Sequence, residues 1–225
     1  MLLSEKEAWY GLCEKCRQTI HEDMDNNPEN HCDLCGRLLI SEKGRCLPCR
    51  ESTETELPSY ERIISLFPYT GKYIKLLEAF KFHKSLAAGH FLAEQLLEAL
   101  ESLPLETMEK PVLVPVPPRP GKIRKTGWDQ IVCLSRLLKK SGKINGRIAG
   151  ICPFLKRQAS QTQKKLDRRE RQTNLKGRII AKGIVPRECI LFDDVNTTGA
   201  TMNVCASALK KAGAEKVYGI CLFYD

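Results

Sequence analysis

The run Ile190-Leu191-Phe192-Asp193-Asp194-Val195-Asn196-Thr197-Thr198-Gly199-Ala200-Thr201 constrains this chain more than any other stretch. Three apolar residues lead into two adjacent carboxylates. A loop of small residues follows, and a helical pattern then runs from Met202 to Lys211. A strand that ends in paired acids and opens through such a loop into a helix is a unit of a parallel α/β sheet. It is also a chemical device. Loop N–H groups and a helix N-terminus favour an anion, and ionised aspartates accept hydrogen bonds from hydroxyls. The combination suits a sugar phosphate.

The preceding residues supply the rest of such a sheet. Ile63 to Phe67 reads as a strand ended near Pro68 and Gly71. Tyr73, Ile74, Leu77 and Phe80 then have helical spacing. Phe91, Leu92, Leu96, Leu97 and Leu100 predict a second helix that stops before Pro104. Val112 to Val116 is a strand, Gln130 to Lys140 a helix, and Arg178 to Ala181, Cys189 to Phe192 and Val217 to Phe223 are further strands. Alternation of this kind predicts an α/β fold with its ligand beyond the strand C-termini. No apolar window is long enough to span a bilayer, so membrane insertion is not expected.

Two basic segments accompany the acid pair. Pro117-Pro118-Arg119-Pro120-Gly121-Lys122-Ile123-Arg124-Lys125-Thr126-Gly127 follows a strand and holds four basic residues and no acid. Lys156 to Arg178 holds nine Lys and Arg against two acids, with almost no apolar periodicity. It reads as a mobile lid over phosphates or as a strip for nucleic-acid backbone.

Residues 1–50 form a separate cysteine-rich module, 51–59 a polar acidic linker, and 60–225 the main domain. Six of the eleven cysteines occupy three C-x-x-C pairs: Cys13/Cys16, Cys32/Cys35 and Cys46/Cys49. Cys32, Cys35, Cys46 and Cys49 can supply four thiolates to one structural Zn2+, and Gly36 suits the tight turn of a knuckle. Cys13 and Cys16 remain open. Either one pair is spare, or two chains share a site, or an upstream partner pair is missing. His21 and His31 are further candidates. Cys133, Cys152, Cys189, Cys205 and Cys221 stand among apolar neighbours and read as core residues. The first 60 residues carry 7 Lys and Arg against 12 Asp and Glu, a net of −5. The total is +9, so the remainder carries +14, which fits a polyphosphate or nucleic acid as readily as plain solubility. The acids at the N-terminus do not suit a signal peptide, and paired cysteines are rarely disulfides in the cytosol, so the expected location is cytoplasmic.

The acid run resembles the phosphoribosyl-pyrophosphate (PRPP) motif of type I phosphoribosyltransferases. With the knuckles, Val114-Pro-Val116-Pro, Lys125-Thr-Gly-Trp-Asp-Gln130 and Arg157-Gln-Ala-Ser-Gln-Thr162, the whole chain resembles the ComF family. That resemblance implies a type I phosphoribosyltransferase-like parallel sheet with helices on both faces, behind a small zinc ribbon. It implies that Asp193 and Asp194 meet the ribose hydroxyls. Val195, Asn196, Thr197, Thr198, Gly199, Ala200 and Thr201 would bind the 5′-phosphate. Pro117, Pro118, Arg119 and Lys122 would face pyrophosphate, with the Pro117–Pro118 bond a candidate cis peptide. Mg2+ would accompany PRPP. The family is associated with DNA uptake, so the expected function is transfer or recognition of a phosphoribosyl group. The alternative is a non-catalytic module for single-stranded DNA or a helicase.

Overall fold

The computed structural model describes residues 15, 17–20, 30–53, 57–103, 109–146, 148–159 and 177–224. A helical turn α1 (Leu47–Glu51) precedes strand β1 (Arg62–Pro68) and helices α2 (Gly71–Lys81) and α3 (Leu86–Ser102). Then come β2 (Val112–Pro115), α4 (Lys122–Thr126), α5 (Gln130–Ser141) and the short strands β3 (Gly150–Ile151), β4 (Leu155–Arg157) and β5 (Ile179–Ala181). The chain closes with β6 (Glu188–Asn196), α6 (Ala200–Lys211) and β7 (Lys216–Tyr224).

Five strands form one sheet in the order β1-β7-β6-β2-β3. Every pairing in it is parallel. A parallel sheet covered on both faces needs apolar residues on both, and β6 shows the pattern. Cys189 and Leu191 enter one core, while Ile190 and Phe192 enter the other. Helices α2, α3 and α5 cover the second of these faces through Phe80, Phe91, Leu96, Leu134 and Leu138. On the first face lies α6, with Met202, Cys205, Ala206 and Leu209, joined by Leu155 and Ile179 of the β4–β5 ribbon. The expected α/β architecture, with helices on both faces of a parallel sheet, is therefore present.

Three details differ from the sequence expectation. Strand β6 does not stop at the acids: it continues to Asn196 and pairs with β7 through Asp193↔Cys221 and Asn196↔Tyr224. The basic proline loop contains the short helix α4. Residues 179–181 leave the main sheet and pair antiparallel with 155–157, so β4 and β5 are the two roots of the segment between them. Among the described residues no helix is long and apolar enough to cross a membrane.

The cysteine knuckle docks on the β1 edge of the sheet. Ile63 N–H donates to Leu34 O at 2.9 Å, so the knuckle covers an edge that would otherwise offer unpaired backbone groups. Gly36 permits this approach. Its φ is +69°, and a Cβ there would lie 2.6 Å from Ile63 O.

Candidate functional site

The site lies where β6 and β2 end side by side. The register pairs Pro115 with Phe192, and Val116 N–H donates to Phe192 O at 3.1 Å. The acid pair and the proline loop are therefore brought together by the sheet itself, at the strand C-termini where α/β sheets bind ligands.

Alternation along β6 sends the two acids to opposite faces. Asp194 turns toward α2 and α5. Its Oδ2 accepts from Gln130 Nε2 at 3.0 Å and pairs with Lys81 Nζ at 3.2 Å. Both contacts fall on Oδ2, and the Asp194 carboxyl also lies within hydrogen-bonding reach of the Asp193 carboxyl. Gln130 is 2% exposed and its Oε1 accepts from Lys122 Nζ. Lys122 Nζ also donates to Asp129 Oδ2 at 2.7 Å, and Asp129 Oδ1 caps α5 through the N–H groups of Ile131 and Val132. The acid is thus fixed by a continuous polar chain that begins at a helix cap. Trp128 sets this chain against α2, its ring edge-on to Phe80 with centroids 5.7 Å apart.

Asp193 faces the α6 side. Desolvation, then the neighbouring Asp194 charge, push its carboxyl well above the ordinary carboxylate range. Beneath it the thiols of Cys205 and Cys221 are buried and held up by desolvation first and by the Asp193 charge second. Burial also pushes the Cys189 thiol up to about 12. These three are buried core residues, as their neighbours in sequence suggested, whereas Cys133 and Cys152, read the same way, are only partly buried. On the same side stands Arg157, the last residue of β4. Burial lowers its pKa, and the Arg119 charge lowers it further, while Cys205 and Asp193 oppose the change. Arg178 adds repulsion. The Arg119 and Arg178 charges both bear on the half-buried Arg157, and an anion beside it would offset them.

Arg119 itself is exposed, in a shallow groove of about 370 Å³ lined also by Pro118, Pro120 and Arg124. Pro117 is buried against the sheet. Among the described residues there is no cis peptide bond, so the Pro117–Pro118 bond is trans and that expectation is corrected. Lys122 turns inward to Asp129 and Gln130 rather than outward beside Arg119.

After β6, the residues Thr197 and Thr198 form an exposed bend, and Gly199 is the N-cap of α6 with φ +70°. A side chain at Gly199 is excluded twice: by that φ, and by the Tyr60 hydroxyl 2.9 Å from where its Cβ would stand. Ala200 and Thr201 are the first helical turn, whose N–H groups lack intrahelical acceptors. Ala200 N–H contacts Thr198 Oγ1 at 3.4 Å. The loop, the helix N-terminus and the acid pair are therefore contiguous. Val195 lies in β6 between them.

The second cluster is Cys32, Cys35, Cys46 and Cys49, whose sulfurs all lie within 4.8 Å of one another. Sulfurs bound to one Zn2+ at about 2.3 Å stand about 3.8 Å apart at the corners of a tetrahedron. Cys35 Sγ and Cys46 Sγ are separated by 3.7 Å. Cys46 N–H points to Cys32 Sγ at 3.4 Å. Burial pushes the Cys32 thiol up, but hydrogen bonds from the Cys35, Cys46 and Leu34 backbone outweigh it and leave a value of about 7. Cys35 is pushed up to about 11 and Cys49 higher, by burial first. Such thiols ionise together only beside a cation, and the donor set fits a structural metal such as Zn2+. Cys13, Cys16 and His21, and the segment 160–176, lie outside the described residues. His31 is not among the four clustered ligands; its Nδ1 lies 3.1 Å from Gly36 O.

Sequence reasoning missed Lys81, Gln130 and Arg157 as site residues. Gln130 and Arg157 stood inside quoted motifs and Lys81 inside the predicted helix that carries Phe80, but only the register of β6 against β2 and the packing of α2 beside α5 reveal what they face.

No family model matches the chain. Competence protein F of Haemophilus influenzae is 27% identical over 213 residues, spanning 92% of this chain and 87% of that protein. The DNA utilization protein YhgH of Escherichia coli is 25% identical over 94% of this chain and 96% of its own length. Competence protein ComFC of Streptococcus pneumoniae is 24% identical over 92% and 84%. The resemblance to the ComF proteins thus runs nearly end to end in both partners. Among solved structures, a hypoxanthine phosphoribosyl transferase of Trypanosoma cruzi overlays 61% of this chain and 63% of its own at 11% identity. Its TM-score is 0.34, too loose an overlay to carry an argument.

Proposed function

We propose that this chain is a PRPP-binding, phosphoribosyltransferase-like protein that recognises or transfers a phosphoribosyl group in the handling of incoming DNA. The observation that carries the reading is the register of β2 against β6, which brings the acid pair and the Thr197–Thr201 loop beside the basic proline loop, with Asp194 held by Gln130 and Lys81. The loop from Thr197 to Thr201 would hold the 5′-phosphate. Asp194, fixed by Lys81 and Gln130, would offer its carboxylate to a ribose hydroxyl, with Asp193 beside it. Arg119 and Arg157 would face the pyrophosphate. Mg2+ carried in with PRPP would supply positive charge that offsets the charge developing on the leaving pyrophosphate.

Transfer would form a bond from an acceptor nucleophile to ribose C1 as the C1–O bond to pyrophosphate breaks. Inorganic pyrophosphate would leave with the bonding pair. Carboxylates beside the sugar favour the positive charge that develops on it, and fixed arginines favour the negative charge that departs. The Cys32/Cys35/Cys46/Cys49 cluster is assigned to one structural Zn2+. The named relatives support the link to DNA uptake.

The double variant Asp193→Asn/Asp194→Asn should remain folded and lose PRPP binding by more than about 100-fold. That estimate takes roughly 1.5–3 kcal/mol for each charged hydrogen bond. Unchanged PRPP affinity in that variant contradicts the assignment.

The second reading is direct binding of single-stranded DNA, favoured by the relatives' names and by the +14 borne by residues 61–225. It predicts affinity that falls steeply with salt and depends on Lys164, Lys165, Arg168, Arg169 and Arg171. Salt-independent or absent DNA binding removes it.

A further inference from the structure

The metal knuckle does more than close an edge. It meets the phosphate loop. Asn196, the last residue of β6, donates from Nδ2 to the Cys35 carbonyl at 3.0 Å. Asn196 is 7% exposed, and its Oδ1 is buried with no partner. His31 packs edge-on against Tyr224 of β7, with ring centroids 5.0 Å apart. The Tyr60 hydroxyl stands against Gly199, and Tyr60 is within electrostatic reach of Cys35 and Cys49. Between the two parts lies a small hollow lined by Cys35, Arg37, Asn196, Thr197, Thr198 and Gly199, with Tyr224 at one side. At about 20 Å³ it holds roughly one water, so a phosphate would seat across its mouth.

Arg37 is the one cation among those lining residues. Its side chain is exposed and forms no ion pair with a described acid. Four thiolates on a divalent metal leave a net charge of −2, which by itself would repel a phosphate. An arginine two residues after Cys35 offsets that charge on the rim where it matters.

We propose that the knuckle forms one wall of the phosphate site, and that Arg37 ion-pairs with the 5′-phosphate held by Thr197 to Thr201. Asn196 is the tether: it holds the Cys35 backbone to the end of β6, and so places Arg37 relative to the loop. The metal cluster thereby helps to position a ligand-binding cation. The proposal rests on the PRPP reading above and adds to it a residue from outside the sheet.

The test uses the full-length, metal-loaded protein, with ribose 5-phosphate and inorganic pyrophosphate as calorimetric probes. Arg37→Ala should weaken ribose 5-phosphate about tenfold, the effect of losing one charged hydrogen-bonding partner. Pyrophosphate affinity and bound metal should not change, and Arg37→Lys should recover part of the loss. Equal affinity for ribose 5-phosphate in wild type and Arg37→Ala overturns the proposal. So does an equal loss for both probes, which would mark structural damage. If the wild type binds neither probe nor PRPP, the PRPP reading fails and this proposal falls with it. If the wild type binds and Arg37→Ala is indifferent, the reading stands and only the proposal is lost.

Discussion

At the scale of single residues, the two aspartates are not equivalent. Asp194 has two partners on one oxygen. Asp193 has a desolvated, charge-opposed carboxyl well above its ordinary 3.8. A carboxyl whose folded pKa is raised favours the folded state only while it is protonated. Its contribution is fully present below the ordinary value and is lost as pH rises through the raised one. The ligand-free protein should therefore lose stability across that interval. Asp193→Asn should flatten the loss and raise Tm near neutrality by about 2–4 °C for each kcal/mol relieved. Thermal melts of both proteins from pH 4 to 8 check this, and parallel curves would contradict it. Gly199 carries the opposite kind of prediction. Gly199→Ala combines φ +70° with a 2.9 Å contact to the Tyr60 hydroxyl. It should destabilise α6's start by about 1–3 kcal/mol in denaturant melts and weaken phosphate binding.

At the scale of elements, the site is built by α2, α5 and the β2 and β6 ends. The chain could be read this far because β6 and α6 carry unambiguous patterns. A run buried on both faces has few alternatives to a central parallel strand, and apolar spacing placed α2, α3 and α5. What could not be read were β3 and β4, two and three residues long, and the fact that β5 leaves the main sheet. Such strands have no periodicity of their own, and tertiary pairing alone defines them. The same limit hid Lys81. Nothing in Phe80-Lys81-Phe82 says that the lysine meets an acid 113 positions later. That contact exists because Trp128 packs α5's start against Phe80. Lys81→Met should therefore weaken PRPP about tenfold, from loss of a charged partner to Asp194, while far-ultraviolet dichroism stays unchanged. An unaffected affinity would mean that Lys81 only balances charge in the free protein.

At the scale of the whole molecule, the two cysteine pairs and the sheet form one assembly rather than a tag on a domain. The knuckle accepts from Ile63 N–H through the Leu34 carbonyl and from Asn196 Nδ2 through the Cys35 carbonyl, and it packs His31 on Tyr224. Cys32→Ser/Cys46→Ser should lose one equivalent of zinc and lower the Tm of the main sheet as well, because its β1 edge is uncovered. Zinc content and a melt followed by tryptophan fluorescence read both effects, and an unchanged melt would make the knuckle an independent unit. The acid run from Asp193 to Thr201 remains the centre of the account, now with Arg157, Gln130 and Lys81 around it. The most direct test is a calorimetric titration of the zinc-loaded protein with PRPP and Mg2+, beside the Asp193→Asn/Asp194→Asn variant. A single saturable site in the wild type that disappears in the variant is the predicted result. No heat of binding in the wild type, or equal binding by both proteins, would contradict it.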